Sequence, residues 1–193
     1  MKLILFCLIN VIFSTELSDW IDSNRDVFSS GAYKISFSQE IETLIGNSFH
    51  FELDTAVNII VFQNQLRYET SDKVIVANKE YLKLLNKTNK QLFISPPDQN
   101  FNLLLALDIL SILDKGVFNK GEEDSYYSIK FDNFTNIKIY FKNKKVWVVE
   151  IFTKNINIQL TNIQLNHLAP LDTSGYFMID QMAESIFDLR TND

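Results

Sequence analysis

The chain has 193 residues, 18 Lys and Arg against 24 Asp and Glu for a formal charge of −6, and 46% hydrophobic residues. A composition this apolar can bury a sizeable core and excludes intrinsic disorder, while a negative charge without an arginine-rich run argues against phosphate-backbone binding, so no nucleic-acid partner is expected. The length suits one domain, and a single Cys allows neither a disulfide frame nor a cysteine-based metal site.

The start, MKLILFCLINVIFS, places one basic residue, Lys2, ahead of an apolar stretch from Leu3 to Phe13. That pattern matches a secretory signal and is shorter than the roughly 20 residues of a membrane span, so 1–14 reads as a signal peptide and 15–193 as the exported domain. Cys7 follows Phe6 rather than a small residue, which disfavours lipidation. Leu17, Trp20, Ile21 and Phe28 then fall at helical spacing, with Glu16, Asp19 and Asp22 toward the positive end of the dipole, predicting an amphipathic helix that ends near Ser29-Ser30-Gly31. Next, Ile35, Phe37, Gln39 and Ile41 alternate, as do Phe49, Phe51 and Leu53, giving two strands around Gly46-Asn47.

From Asn58 to Ile94 come three apolar-alternating runs, NIIVFQNQLRYET, KVIVANKEYLKLLN and KQLFIS. Ile60, Phe62, Leu66 and Tyr68 share a parity with only Asn64 interrupting, so a pleated strand points them to one side. Pro96-Pro97-Asp98 stops the sheet, and Phe101 to Lys115 reads as a helix closed by Gly116, apolar nearly all round. Strands return with Ile129 and Phe131, then Ile137, Ile139 and Phe141, then Val146, Val148 and Phe152 after a turn at Asn143-Lys144-Lys145. Ile156, Ile158 and Leu160 continue, but Ile163 and Leu165 have switched parity, which predicts a β-bulge or bend near Thr161-Asn162. Met178, Met182, Ile186 and Leu189 suggest a short terminal helix. The fold class expected is α+β, an antiparallel sheet with helices on one face.

His50 and His167 are the only histidines, and neither lies in a metal-ligand pattern. No glycine-rich phosphate loop or nucleophile elbow occurs, so neither catalysis nor a cofactor is expected. Glu122, Glu123 and Asp124 read as a solvated connection. Lys79, Lys83, Lys87 and Lys90 read as a solvated hairpin rim or as a reception point for acidic partners or lipid head groups. Arg67, in an apolar strand, needs a carboxylate or carbonyl partner if buried, and could equally guard the mouth of a cavity.

Leu66-Arg67-Tyr68-Glu69, Val74-Ile75-Val76-Ala77-Asn78, Gln91, the run from Ile158 to Asn166, and Leu171-Asp172 with Tyr176-Phe177 follow one another in an order that resembles the LolA family, periplasmic carriers of outer-membrane lipoproteins. Leu66-Arg67-Tyr68-Glu69 is similar to its Arg-Trp segment, Val74-Ile75-Val76-Ala77-Asn78 to its strand into Asp-Gly, and Gln91 to a later Gln. Ile158 to Asn166 resembles the penultimate strand, and Leu171-Asp172 followed by Tyr176-Phe177 the closing motif. The family's Arg-Pro falls on Phe62-Gln63 and its Asp-Gly on Asn78-Lys79, departures that touch the transfer cycle more than the fold. The resemblance implies a strongly curved, unclosed β-barrel with helices over its concave side. It implies a monomeric periplasmic carrier of lipoprotein acyl chains, served by an inner-membrane release complex and an outer-membrane acceptor, or else a sensory module binding lipoproteins or a protein partner. The cavity residues expected on strands are Phe37, Phe51, Ile60, Phe62, Leu66 and Tyr68. Leu104, Leu105 and Ile109 are expected from the Phe101–Leu113 helix, which would collapse into the empty mouth, and Arg67 and Gln91 are expected at the lid.

Overall fold

The computed structural model describes residues 2–46, 48–97, 116–120, 125–130, 135–169 and 175–190, and only the backbone of 2–15. The predicted Phe101–Lys115 helix, with Leu104, Leu105 and Ile109, lies outside the described residues. One helix, α1 (Lys2–Ser29), precedes β1 (Ala32–Ile45), β2 (Ser48–Phe62), β3 (Gln65–Glu69), β4 (Lys73–Ala77), β5 (Leu82–Asn86) and β6 (Gln91–Ser95). After these come β7 (Val117–Lys120), β8 (Ser125–Lys130), β9 (Asn136–Lys142), β10 (Lys145–Phe152), β11 (Ile156–His167) and β12 (Ser185–Asp188). Among the described residues no helix is long and apolar enough to cross a membrane.

The chain forms two compact units, and β1, β2 and β11 each contribute one part to either. In the first, the strand order is β2-β1-β11-β10-β9-β8-β7. Cross-strand partners build its core. Phe118, Tyr127, Ile139 and Val149 form one row and Ile129, Ile137 and Ile151 the next, all on one face because directly opposed residues point the same way. Leu17 and Ile21 of α1 lie buried on these rows, one helical turn apart. Trp20 meets Phe141 edge-on with ring centroids 6.5 Å apart. Each fully buried aliphatic side chain here stabilises by roughly 1.5–3 kcal/mol, which holds the predicted amphipathic stripe in place.

The second unit begins where α1 ends. Gly31 takes a left-handed φ of 62°, and the Ser30 hydroxyl donates to the Val27 carbonyl at 2.6 Å while accepting the Ala32 N–H at 3.1 Å, closing the helix. Its strand order is β12-β6-β5-β4-β3-β2-β1-β11. Val74, Val76, Leu85, Leu92, Ile94 and Ile179 make one buried cluster, and Ala32, Ile60 and Leu168 another, with Phe62, Tyr176 and Phe177 against it.

Two expectations are corrected and one is located. The run from Asn58 to Thr70 is a hairpin rather than one strand, because Gln63 and Asn64 adopt φ values of 47° and 63° and reverse the chain. Two successive left-handed residues are what a tight two-residue hairpin turn requires. The terminal segment is a 3-10 turn at Asp180–Met182 followed by β12, which runs parallel to β6 with Ile186 opposite Leu92 and Phe187 opposite Phe93. Phe93 and Phe187 stack with centroids 5.1 Å apart, and β12 makes the sheet mixed at that edge. Along β11 the left-handed residue is Asn162, φ 55°, where the switch of parity called for an extra residue. A second irregularity, at Trp147 between Val146 and Val148, left no mark in the alternation.

Candidate functional site

The register of β2 through β6 divides the second unit's side chains between two faces. Opposed pairs run Ile60 to Arg67, Arg67 to Val76, Val76 to Lys83 and Lys83 to Ile94 on one, which we call the Arg67 face. On the other, Ile59 faces Tyr68, Tyr68 faces Ile75, Ile75 faces Leu84, Leu84 faces Phe93 and Phe93 faces Phe187. A second row beside it runs Val61, Leu66, Ala77 and Leu82. At about 4.8 Å between strands, the six-residue row extends roughly 24 Å across the sheet. Most of its members are neither buried nor fully exposed, and Phe187 is 42% exposed.

The Arg67 face is covered by Leu168 and by the chain from Tyr176 to Met182. Arg67, 7% exposed, donates from Nε and Nη2 to Glu69 at 3.0 and 2.8 Å and from Nη1 to the Tyr176 carbonyl. Lys87 Nζ reaches the other Glu69 oxygen at 2.7 Å and donates to the Thr70 carbonyl at 2.6 Å. Burial pushes the Glu69 carboxyl up, but the hydrogen bonds and charges of Lys87 and Arg67 outweigh it and hold the group below its ordinary value. Lys83 binds Asp180 at 2.6 Å and Lys90 binds Glu184, so three of the four clustered lysines are tied in ion pairs, two of them to the C-terminal segment.

The sequence-expected residues separate accordingly. Leu66 and Tyr68 lie on the Tyr68 face, whereas Ile60 and Phe62 lie on the Arg67 face, in the cluster with Leu168, Tyr176 and Phe177. Phe37 alternates opposite Ser36, whose hydroxyl bonds Asn58 on the Arg67 face at 2.8 Å, so Phe37 points to the Tyr68 side, where it is 6% exposed. Phe51 belongs to the first unit and is 67% exposed. Arg67 and Gln91 are not brought together. Gln91 borders the Tyr68 face in a polar row with Asn86 and Lys73, and its carbonyl accepts from Asn89 at 2.8 Å. The sequence reading missed Ile59, Ile75, Leu84, Phe93 and Phe187. The signal that could have found them is the adjacent Gln-Asn pair between two alternating runs, a two-residue hairpin mark that reverses which parity shares a face.

A cleft of about 490 Å³ lies beside Val61 at the β2–β3 turn, lined by Phe28, Tyr33, Phe62, Gln63 and His167 among others. Burial raises the Tyr33 phenol above its ordinary value. Among the described residues no group of three or more His, Cys, Asp or Glu side chains could hold a metal ion.

No protein-family model matches the chain, and no curated protein matches it. Solved structures similar to it include an uncharacterized conserved protein from Thermus thermophilus, at 10% identity, TM-score 0.46, covering 91% of this chain and 98% of that one. Another is a DUF1329 family protein from Desulfovibrio piger, at 6% identity, TM-score 0.38, covering 81% and 93%. At these TM-scores the likeness carries no argument about activity.

Proposed function

We propose that the protein binds acyl chains along the Tyr68 face and carries them through an aqueous compartment, as a periplasmic lipoprotein carrier would. The observation that supports this reading is the row Ile59, Tyr68, Ile75, Leu84, Phe93 and Phe187, apolar from end to end across six strands. A sheet whose two faces are both apolar needs a cover on each. On the Arg67 face that cover is Leu168 and the Tyr176–Met182 segment, the latter fastened by Arg67 and Lys83. We assign the Tyr68 face to cargo. Each buried methylene is worth about 0.8 kcal/mol, so a long acyl chain in water costs on the order of 10 kcal/mol, and a row roughly 24 Å long offers an apolar bed of matching length. The curved, unclosed barrel and the exchange with a release complex and an acceptor belong to the same proposal.

The test is a fluorescent fatty-acid probe titrated into the purified protein. Binding is expected with Kd in the micromolar range or below, and Leu84→Asp should weaken it at least 10-fold, since a carboxylate at the centre of the row cannot share an apolar bed. Unchanged affinity in a folded Leu84→Asp protein refutes the assignment of this face. Native mass spectrometry of the protein isolated from its own cells should show bound lipid or lipoprotein.

A further inference from the structure

The first part of β2 is a strand edge. β3 opposes β2 only from Asn58 to Phe62, and among the described residues no strand lies beside Ser48–Leu53 on the side away from β1. Both faces of this stretch are solvent-exposed. Phe49, Phe51 and Leu53 point one way at 61, 67 and 67% exposure, and Ser48, His50 and Glu52 point the other, also exposed. A six-residue edge with an apolar face and open backbone groups is a template for another strand, and proteins ordinarily blunt such edges with lysine, proline or a bulge. Neither lysine nor proline occurs from Ser48 to Leu53.

We propose that Ser48–Leu53 pairs antiparallel with the same segment of a second copy, about a two-fold axis through Phe51. The order of residues selects both occupant and register. With Phe51 opposite its own copy, Phe49 faces the partner's Leu53, so all six apolar side chains share one face. On the reverse face His50 then lies opposite the partner's Glu52, and Glu52 opposite the partner's His50, an imidazole–carboxylate match made twice. Centring the axis on Glu52 would oppose two carboxylates, which destabilises a sheet pair. Centring it on His50 leaves Leu53 without an apolar partner, and a slip by one residue sets Phe opposite His or Glu. A surface complementary to itself under two-fold rotation is what a symmetric dimer requires. The patch is small: six side chains, three from each copy, that bury on the order of 100–150 Å² each put the contact below the roughly 1,200 Å² that a stable interface buries on both partners together. The dimer is therefore expected to be reversible, forming at micromolar to high-micromolar chain concentration.

Sedimentation velocity over a concentration series tests this on the full chain. A monomer–dimer equilibrium is expected, and Phe51→Asp should weaken it about 100-fold or more, because two carboxylates then meet on the axis. Glu52→Lys should weaken it by a smaller factor, and the double change His50→Glu with Glu52→Lys should restore it. In a Cys7→Ser background, Phe51→Cys should oxidise to a cross-linked dimer, since opposed Cα atoms in antiparallel strands lie about 4.5–5.5 Å apart, within disulfide reach. Phe49→Cys alone should not cross-link. These side chains are exposed in the monomer, so circular dichroism should be unchanged in each variant. A chain that stays monomeric to about 1 mM, a Phe51→Asp protein that dimerises as well as the parent, or cross-linking through Phe49→Cys instead of Phe51→Cys would each overturn the proposal. So would association with lipid vesicles in place of self-pairing.

Discussion

Arg67 shows how a single side chain can organise a covering segment. Its guanidinium is buried, and its two acceptors, the Glu69 carboxylate and the Tyr176 carbonyl, lie 2 and 109 residues away along the chain. Removing a buried, bonded cation leaves its acceptors unsatisfied, so Arg67→Met is expected to destabilise the protein by about 2–4 kcal/mol in urea unfolding. Glu69 is the linked titrating group. Its folded pKa lies below the ordinary 4.5, so its contribution is fully present above that value and is lost as pH falls through the lowered one. Glu69→Gln should flatten the loss of stability below pH 4.5, which an acid-unfolding series at constant ionic strength will show. Gln63 and Lys144 sit at φ values of 47° and 61° without the side chain that tolerates them best. Lys144→Gly is expected to stabilise by about 1 kcal/mol, read as a rise in Tm of roughly 2–4 °C. The sequence marked Arg67 as needing a carboxylate or carbonyl partner, and it has both. It could not name Tyr176, because nothing local links a strand residue to a carbonyl 109 positions on.

At the scale of elements, β12 holds its place by few interactions. It is four exposed residues long, parallel to β6, and kept by the Phe93–Phe187 stack and the Lys90–Glu184 pair, with the Leu189 N–H donating to Ile94 at 2.7 Å just beyond it. Phe187→Pro, which removes the ring and the backbone N–H together, should detach it, and hydrogen exchange of the β6 amides should rise while α1 amides keep their protection. Alternation along the chain was legible for most strands, and its switch of parity falls beside Asn162, which takes a left-handed φ. The reading failed at Gln63-Asn64, where a parity count carried through a hairpin turn assigned Ile60 and Phe62 to the face of Leu66 and Tyr68. It failed again at Met178 to Leu189, whose spacing suits a helix in isolation. Cross-strand stacking and the open edge of β6 outweigh that local preference.

For the whole molecule, cargo should act as a stabiliser if the Tyr68 face is the binding site. A ligand at 100 times its Kd adds about 2.7 kcal/mol to a protein that binds it only when folded, which for a chain of this size corresponds to roughly 5–10 °C in Tm. Saturating fatty acid is expected to shift the melting curve by that amount, and the shift should vanish in Leu84→Asp while the ligand-free Tm falls little. Composition and alternation by themselves determined that this chain buries a core, is built mainly from strands and places an amphipathic helix at Leu17 to Phe28. These are properties of short windows, where period and charge act directly. Which apolar side chains share a face, which lysines are neutralised and which strand edge has no neighbouring strand among the described residues were decided only by the tertiary structure. The reason is register: one two-residue turn reverses the side on which every following residue points, and the partners that satisfy a buried charge come from segments a hundred residues apart.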